Sequence, residues 1–218
     1  MRYLEFNKEV RVGRQAVVRF EELDVRRRLA ELGIVYDVLV AAESEGTLRH
    51  RFAPAEGFPG HAEYVAASYA LAVLRTNPSG RLTTGTHLGI PVAFNGTGTI
   101  AIGVTTGDLN CGIFGEEDPR STTIKGPNTA RAGQAPRLRL SNETVDELGV
   151  DLWQLLSQWL PGDERRFELS HVAHTGEDGR ISGWHERLIL SPEIKGPTSM
   201  RLPDPRNGPV PFVKRRAS

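Results

Sequence analysis

Val92-Ala93-Phe94-Asn95-Gly96-Thr97-Gly98-Thr99-Ile100-Ala101-Ile102-Gly103-Val104-Thr105 is the stretch on which the reading of the fold turns. After Asn95-Gly96, the residues Gly98, Ile100, Ile102 and Val104 alternate with Thr97, Thr99, Ala101 and Gly103. That is the two-residue period of a strand with one buried face. Asn-Gly between two β-rich runs favours a tight turn, so the stretch predicts an antiparallel hairpin around residues 91–105. The same residues contain Gly96-Thr-Gly98-Thr-Ile-Ala101, the G-x-G-x-x-A spacing of a dinucleotide-binding turn. That chemistry needs glycines that open a helix. Here they open a β-branched run, and the hairpin reading is kept.

Downstream of the hairpin the pattern stays β. Arg165 to Ala173 alternates through Phe167, Leu169, His171 and Ala173, and Ile181 to Leu190 returns after the turn Gly176-Glu177-Asp178-Gly179. Residues 150–160 fit a helix or a strand. With the Pro161-Gly162-Asp163 turn behind them, a three-stranded antiparallel meander over 152–190 is preferred.

Upstream the chain is helical. Phe20 to Leu32 holds good helix formers closed by Gly33. Residues 34–42 are ambiguous, but the spacing of Leu32, Tyr36 and Leu39 favours a second helix. Thr47 to Gly60 reads as a loop. A third helix spans His61 to Arg75, bounded by Pro59-Gly60 and Asn77-Pro78, with Tyr64, Ala67, Leu71 and Leu74 as its apolar stripe. Residues 1–19 read as one or two short strands. Helices early, strands late and no βαβ alternation predict an α+β fold: an antiparallel sheet packed with N-terminal helices. Residues 1–190 are expected to form a single domain, and 191–218 an extended Pro/Arg-rich tail.

Composition narrows the class. The chain has 218 residues, 39% apolar and 25% charged, with 27 basic and 27 acidic side chains. That is one domain with enough apolar content for a core. No apolar run approaches the roughly 18 residues of a membrane helix. The first residues lack a signal-peptide block. One cysteine, Cys111, rules out an internal disulfide and a Cys-cluster zinc site and has no local partner that would make it a nucleophile. A cytoplasmic protein with no membrane partner and no cofactor is expected. Only four of the basic residues are lysines (Lys8, Lys125, Lys195 and Lys214), and the arginine excess suits phosphate or carboxylate recognition.

Several clusters are candidates for chemistry. Arg120, Lys125, Thr129 and Arg131, beside the Gly126-Pro127 turn, are the most plausible anion-binding set, although no P-loop is present. Asp108 follows a strand end, where a carboxylate can serve a metal or act as a base, or simply form a turn. Asp178 followed by Glu193-Ile-Lys195 has the order of a D…(D/E)-x-K nuclease arrangement, but a hairpin turn already explains Asp178 and Pro192 interrupts the strand. His171 and His174 lie three apart on a strand and face opposite sides, so no metal site is expected from them with Glu177 or Asp178. Trp153, Trp159 and Trp184 offer stacking faces, or pack.

The function expected from these features is a nucleic-acid- or nucleotide-associated accessory protein without chemistry of its own. The alternatives are a metal-dependent phosphodiesterase or nuclease using Asp178, Glu193 and Lys195 (or Asp108), and an assembly subunit. In the last case residues 196–218 would bind another protein or a second copy of the chain.

Overall fold

A computed structural model describes residues 16–53, 60–114, 117–125, 127–129, 149–159 and 165–191. Its first helix, α1 (Glu22–Glu31), buries Val25 and Leu29 and stops where Gly33 turns left-handed at φ 69°. The ambiguous stretch is indeed helical. α2 (Tyr36–Arg51) also carries on through Thr47–Arg51, which the sequence suggests is loop. Two i,i+4 contacts prolong it, Arg49 on Glu45 at 2.6 Å and Thr47 on Glu43 at 3.1 Å. Gly46 then lets α2 lie close to α3 (His61–Thr76): a Cβ there would stand 3.2 Å from the Ala66 carbonyl oxygen. The buried face of α3 is Ala66, Ala70 and Leu74, turned from the predicted stripe. Tyr64, Ala67 and Leu71 point elsewhere, to the pocket described below.

Seven strands form one sheet: β1 (Val17–Arg19), β2 (Thr83–His87), β3 (Ile90–Phe94), β4 (Ile100–Thr106), β5 (Asp151–Trp159), β6 (Arg165–Thr175) and β7 (Ile181–Ile189), in the order β1-β7-β6-β5-β4-β3-β2. The hairpin and the meander are both present. The expectation of an antiparallel sheet is nevertheless overturned, because two of the six pairings are parallel. Strand alternation reveals which residues are buried but not which strands become neighbours. The chain leaves β4 at Thr106 and starts β5 at the same end as β4, so Ile100 pairs with Asp151 and Thr106 with Ser157. β1 joins the other edge parallel to β7, and Arg19 and Arg28 hold it there through the Glu186 carboxylate at 2.6 and 2.9 Å.

The turn at Asn95 is longer than a two-residue hairpin. Asn95 Oδ1 accepts the N–H groups of Thr99 and Ile100 at 3.0 and 3.1 Å, and β4 therefore begins at Ile100 rather than Thr97. Its Nδ2 donates to the Leu32 carbonyl at 2.9 Å, fastening the turn to the end of α1.

The helices cover one face, where Leu29, Val38, Leu39 and Leu74 meet Ile102, Trp153, Leu155, Leu169 and Leu188. On the opposite face Val92, Ala101, Leu152, Leu156 and Trp184 pack with Cys111, from the segment after β4. That segment is pinned by a buried ion pair. Glu168 accepts Arg187 Nε and Nη2 at 3.0 and 2.8 Å, Ser170 Oγ at 2.6 Å and the Gly112 N–H at 2.9 Å. Arg187 also donates to the Ile113 carbonyl and to Asp118. Gly112 has φ 69°, and a Cβ there would stand 2.9 Å from the Phe167 amide nitrogen. The segment can come this close only with glycine.

Candidate functional site

β3 and β4 are paired only at Ala93–Ile102 and Phe94–Ala101. Beyond those residues the strands part, helped by Pro91, which has no N–H to give to the ladder. The gap is a pocket of about 270 Å³. α3 walls it with Ala67 and Leu71, β3 with Ile90 and Pro91, and β4 with Val104 and Thr105. A second hollow of about 440 Å³ beside the Asn95 turn is wider and more open, and carries no Lys, Arg, Asp or Glu.

Lys125 lies in the first pocket. Hydrogen bonds of the surrounding chain fix its position: the Lys125 N–H donates to the Gly179 carbonyl at 2.7 Å, Ser121 N–H to Ile181 at 2.9 Å, and Thr122 N–H to Thr106 at 2.9 Å. The Lys125 ammonium donates to Thr105 Oγ1 at 2.5 Å, and no carboxylate pairs with it among the described residues. Burial without a counter-charge lowers its pKa to about 8. At neutral pH it is therefore a cation in a partly dry pocket. Thr123 Oγ1 is 3.4 Å from Thr105 Oγ1, and the buried Thr129 also faces the space. The carboxylate among the lining residues is that of Glu63, which pairs with His50 Nε2 at 3.9 Å.

Gln154 adds a second polar group. It is only 3% exposed, yet it reaches the pocket from β5. Its register partner is Gly103, where a Cβ would stand 2.7 Å from Gln154 Nε2. Glycine on β4 thus leaves the space that the amide occupies.

Compared with family models, with curated proteins and with solved structures, the chain matches none of them.

Of the predicted anion-binding set, Lys125 and Thr129 share this pocket. Arg120 does not line it and is paired with Asp178 at 2.7 Å. Arg131 lies outside the described residues. Asp178 is held by that pair and by the turn, since its Oδ1 accepts the Arg180 N–H at 3.1 Å. Its proposed partners Glu193 and Lys195 also lie outside the described residues. Asp108 caps a turn by accepting the Asn110 N–H at 3.0 Å. His171 stacks on Trp153 with ring centres 4.9 Å apart, and burial brings its pKa down to about 4. Among the described residues no group of His, Cys, Asp and Glu is arranged to hold a metal ion, and no helix is long and apolar enough to cross a membrane. All three tryptophans pack: Trp153 and Trp184 are buried, Trp184 Nε1 donating to the Pro119 carbonyl at 2.7 Å, and Trp159 stacks on His50.

Sequence reasoning missed Thr105, Gln154 and the α3 wall. Two signals were present. Gln154 is the polar interruption in Leu152-Trp153-Gln154-Leu155-Leu156, and the Tyr64-Ala67-Leu71 stripe is apolar beyond what the core takes.

Proposed function

We propose that the chain binds a small anionic ligand, a phosphate or carboxylate compound, in the pocket between β3 and β4, with Lys125 as the anchoring cation. The observation that carries this reading is the Lys125 ammonium, half-buried beside Thr105 with no acidic partner among the described residues. A buried, unpaired charge is unfavourable in the free protein and becomes favourable once an anion sits against it. Threonine hydroxyls around it donate to anion oxygens without adding opposing charge. The size of the space favours a metabolite over a polymer. The neutral net charge agrees with a local anion site rather than a broad polyanion-binding surface. The expected role is that of a binding or accessory component, and its chemistry is recognition.

The test is calorimetric titration of the full chain with inorganic phosphate and with ribose 5-phosphate. Binding is expected at pH 7 and falls as pH rises through 8, approaching about tenfold per unit as the free ammonium loses its proton. Lys125→Met should abolish it, and Arg120→Ala should leave it intact. Equal binding by wild type and Lys125→Met would remove the pocket from consideration.

A further inference from the structure

Resting on that reading of the pocket, we propose that the ligand is a mononucleotide, with its phosphate against Lys125 and the edge of its base read by the Gln154 amide. Gln154 is 3% exposed, lines the pocket, and makes no hydrogen bond through its side chain among the described residues. The residue as a whole is buried, but its amide atoms are not among the fully buried unpaired polar atoms of the described residues, so they open onto the pocket, where a ligand could take the place of water.

The environment indicates what would complete them. An amide places a donor beside an acceptor in one plane, so its natural complement is a planar edge with an acceptor beside a donor. Adenine offers such an edge through N7 and N6–H, and glutamine reads it with two parallel bonds. Gly103 opposite Gln154 clears room for the amide to lie flat across β4, where any Cβ would meet Nε2 at 2.7 Å and Oε1 at 3.0 Å. Thr105, which holds the Lys125 ammonium, is two residues further along β4 on the same face. Gly103 beside the amide and Thr105 beside the cation are spaced by about 7 Å along β4. A ligand that satisfies both must carry its charge at one end and its hydrogen-bonding edge at the other. Ala67, Leu71, Ile90 and Pro91 also line the pocket and add apolar surface for the faces of a ring.

The experiment compares AMP, UMP, ribose 5-phosphate and inorganic phosphate by calorimetry at pH 7 on the full chain. The variants are Lys125→Met, Gln154→Leu and Gly103→Ala, each checked for wild-type circular dichroism. Wild type is expected to bind at least one nucleotide about tenfold or more tighter than ribose 5-phosphate, as a bidentate base contact confers. Gln154→Leu should collapse that ratio toward one. Gly103→Ala should do the same without touching the glutamine, because the new methyl group displaces its amide, and it serves if the leucine variant does not fold. A wild-type ratio near one, or a ratio that survives in both variants, overturns the base-reading role. Lys125-dependent binding of ribose 5-phosphate with no preference for either nucleotide would overturn this inference alone. Binding of none of the four probes would overturn the anion site with it.

Discussion

Lys125 carries a stability penalty at the place where we propose a binding role for it. Its pKa of about 8 in the folded chain lies below the roughly 10.4 of a free lysine. Between those values the unfolded chain holds the extra proton, so this group makes the protein more stable as pH rises, and below about 8 the full penalty is present. Lys125→Met keeps the length of the side chain and removes the charge. We expect it to be more stable than wild type at pH 7 by about 1–2 kcal/mol, with the gap closing toward pH 10. Urea unfolding of both proteins across that range checks this, and a gap independent of pH would mean that the ammonium is not desolvated. At this scale the sequence was partly legible. Lys125 and Thr129 stand out in it because a lysine beside a Gly-Pro turn is conspicuous. Gln154 does not, because the value of a buried amide depends on the glycine opposite, and pairing across β4 and β5 is not written in either strand.

Among the elements, the 107–125 segment is the least regular and among the most firmly attached. It lies over one sheet face, and the Glu168–Arg187 pair ties it down with every carboxylate oxygen engaged. Glu168→Gln would leave the fully buried Arg187 with the half-exposed Asp118 as its one remaining charge partner among the described residues, and about 3 kcal/mol of stability should be lost. Replacing both, as Glu168→Leu with Arg187→Met, should lose less than the single change, and denaturant midpoints of the two variants decide the matter. If the single variant is as stable as wild type, the pair does not anchor the segment. β4 and β6 were readable from period-two alternation, and α1 and α3 from their boundary residues, whereas 34–42 and 150–160 each fitted a helix or a strand. The end of α2 was not readable, since Thr47–Arg51 become helical through contacts with Glu43 and Glu45 and through the closeness of α3 at Gly46, all set by packing.

For the whole molecule, helices and sheet share one apolar layer that runs from Val25 on α1 to Leu190 beyond β7. Tyr36 on α2 also donates to the Leu190 carbonyl at 3.1 Å, which ties the helical layer to the chain just beyond β7. Residues 1–190 are therefore expected to unfold as one unit, with coincident transitions by tryptophan fluorescence and far-ultraviolet circular dichroism. Two separated transitions would divide the helical layer from the sheet. Helices and strands are segregated along the sequence, which suggests α+β with an antiparallel sheet. The mixed sheet overturns that expectation and was not legible, because its order depends on where a long connection delivers the chain.

The parallel β4–β5 ladder also governs the order of events as the chain folds. β2–β3–β4 and β5–β6–β7 each pair strands that are consecutive in sequence, and such hairpins form within microseconds. Joining the two sets requires closure of the long connection between them, which is slow because its entropy is lost before the ladder forms. Lys125 belongs to that connection, while Thr105 and Gln154 lie on opposite sides of the join. The pocket is therefore expected to close only in the late step that joins the two half-sheets.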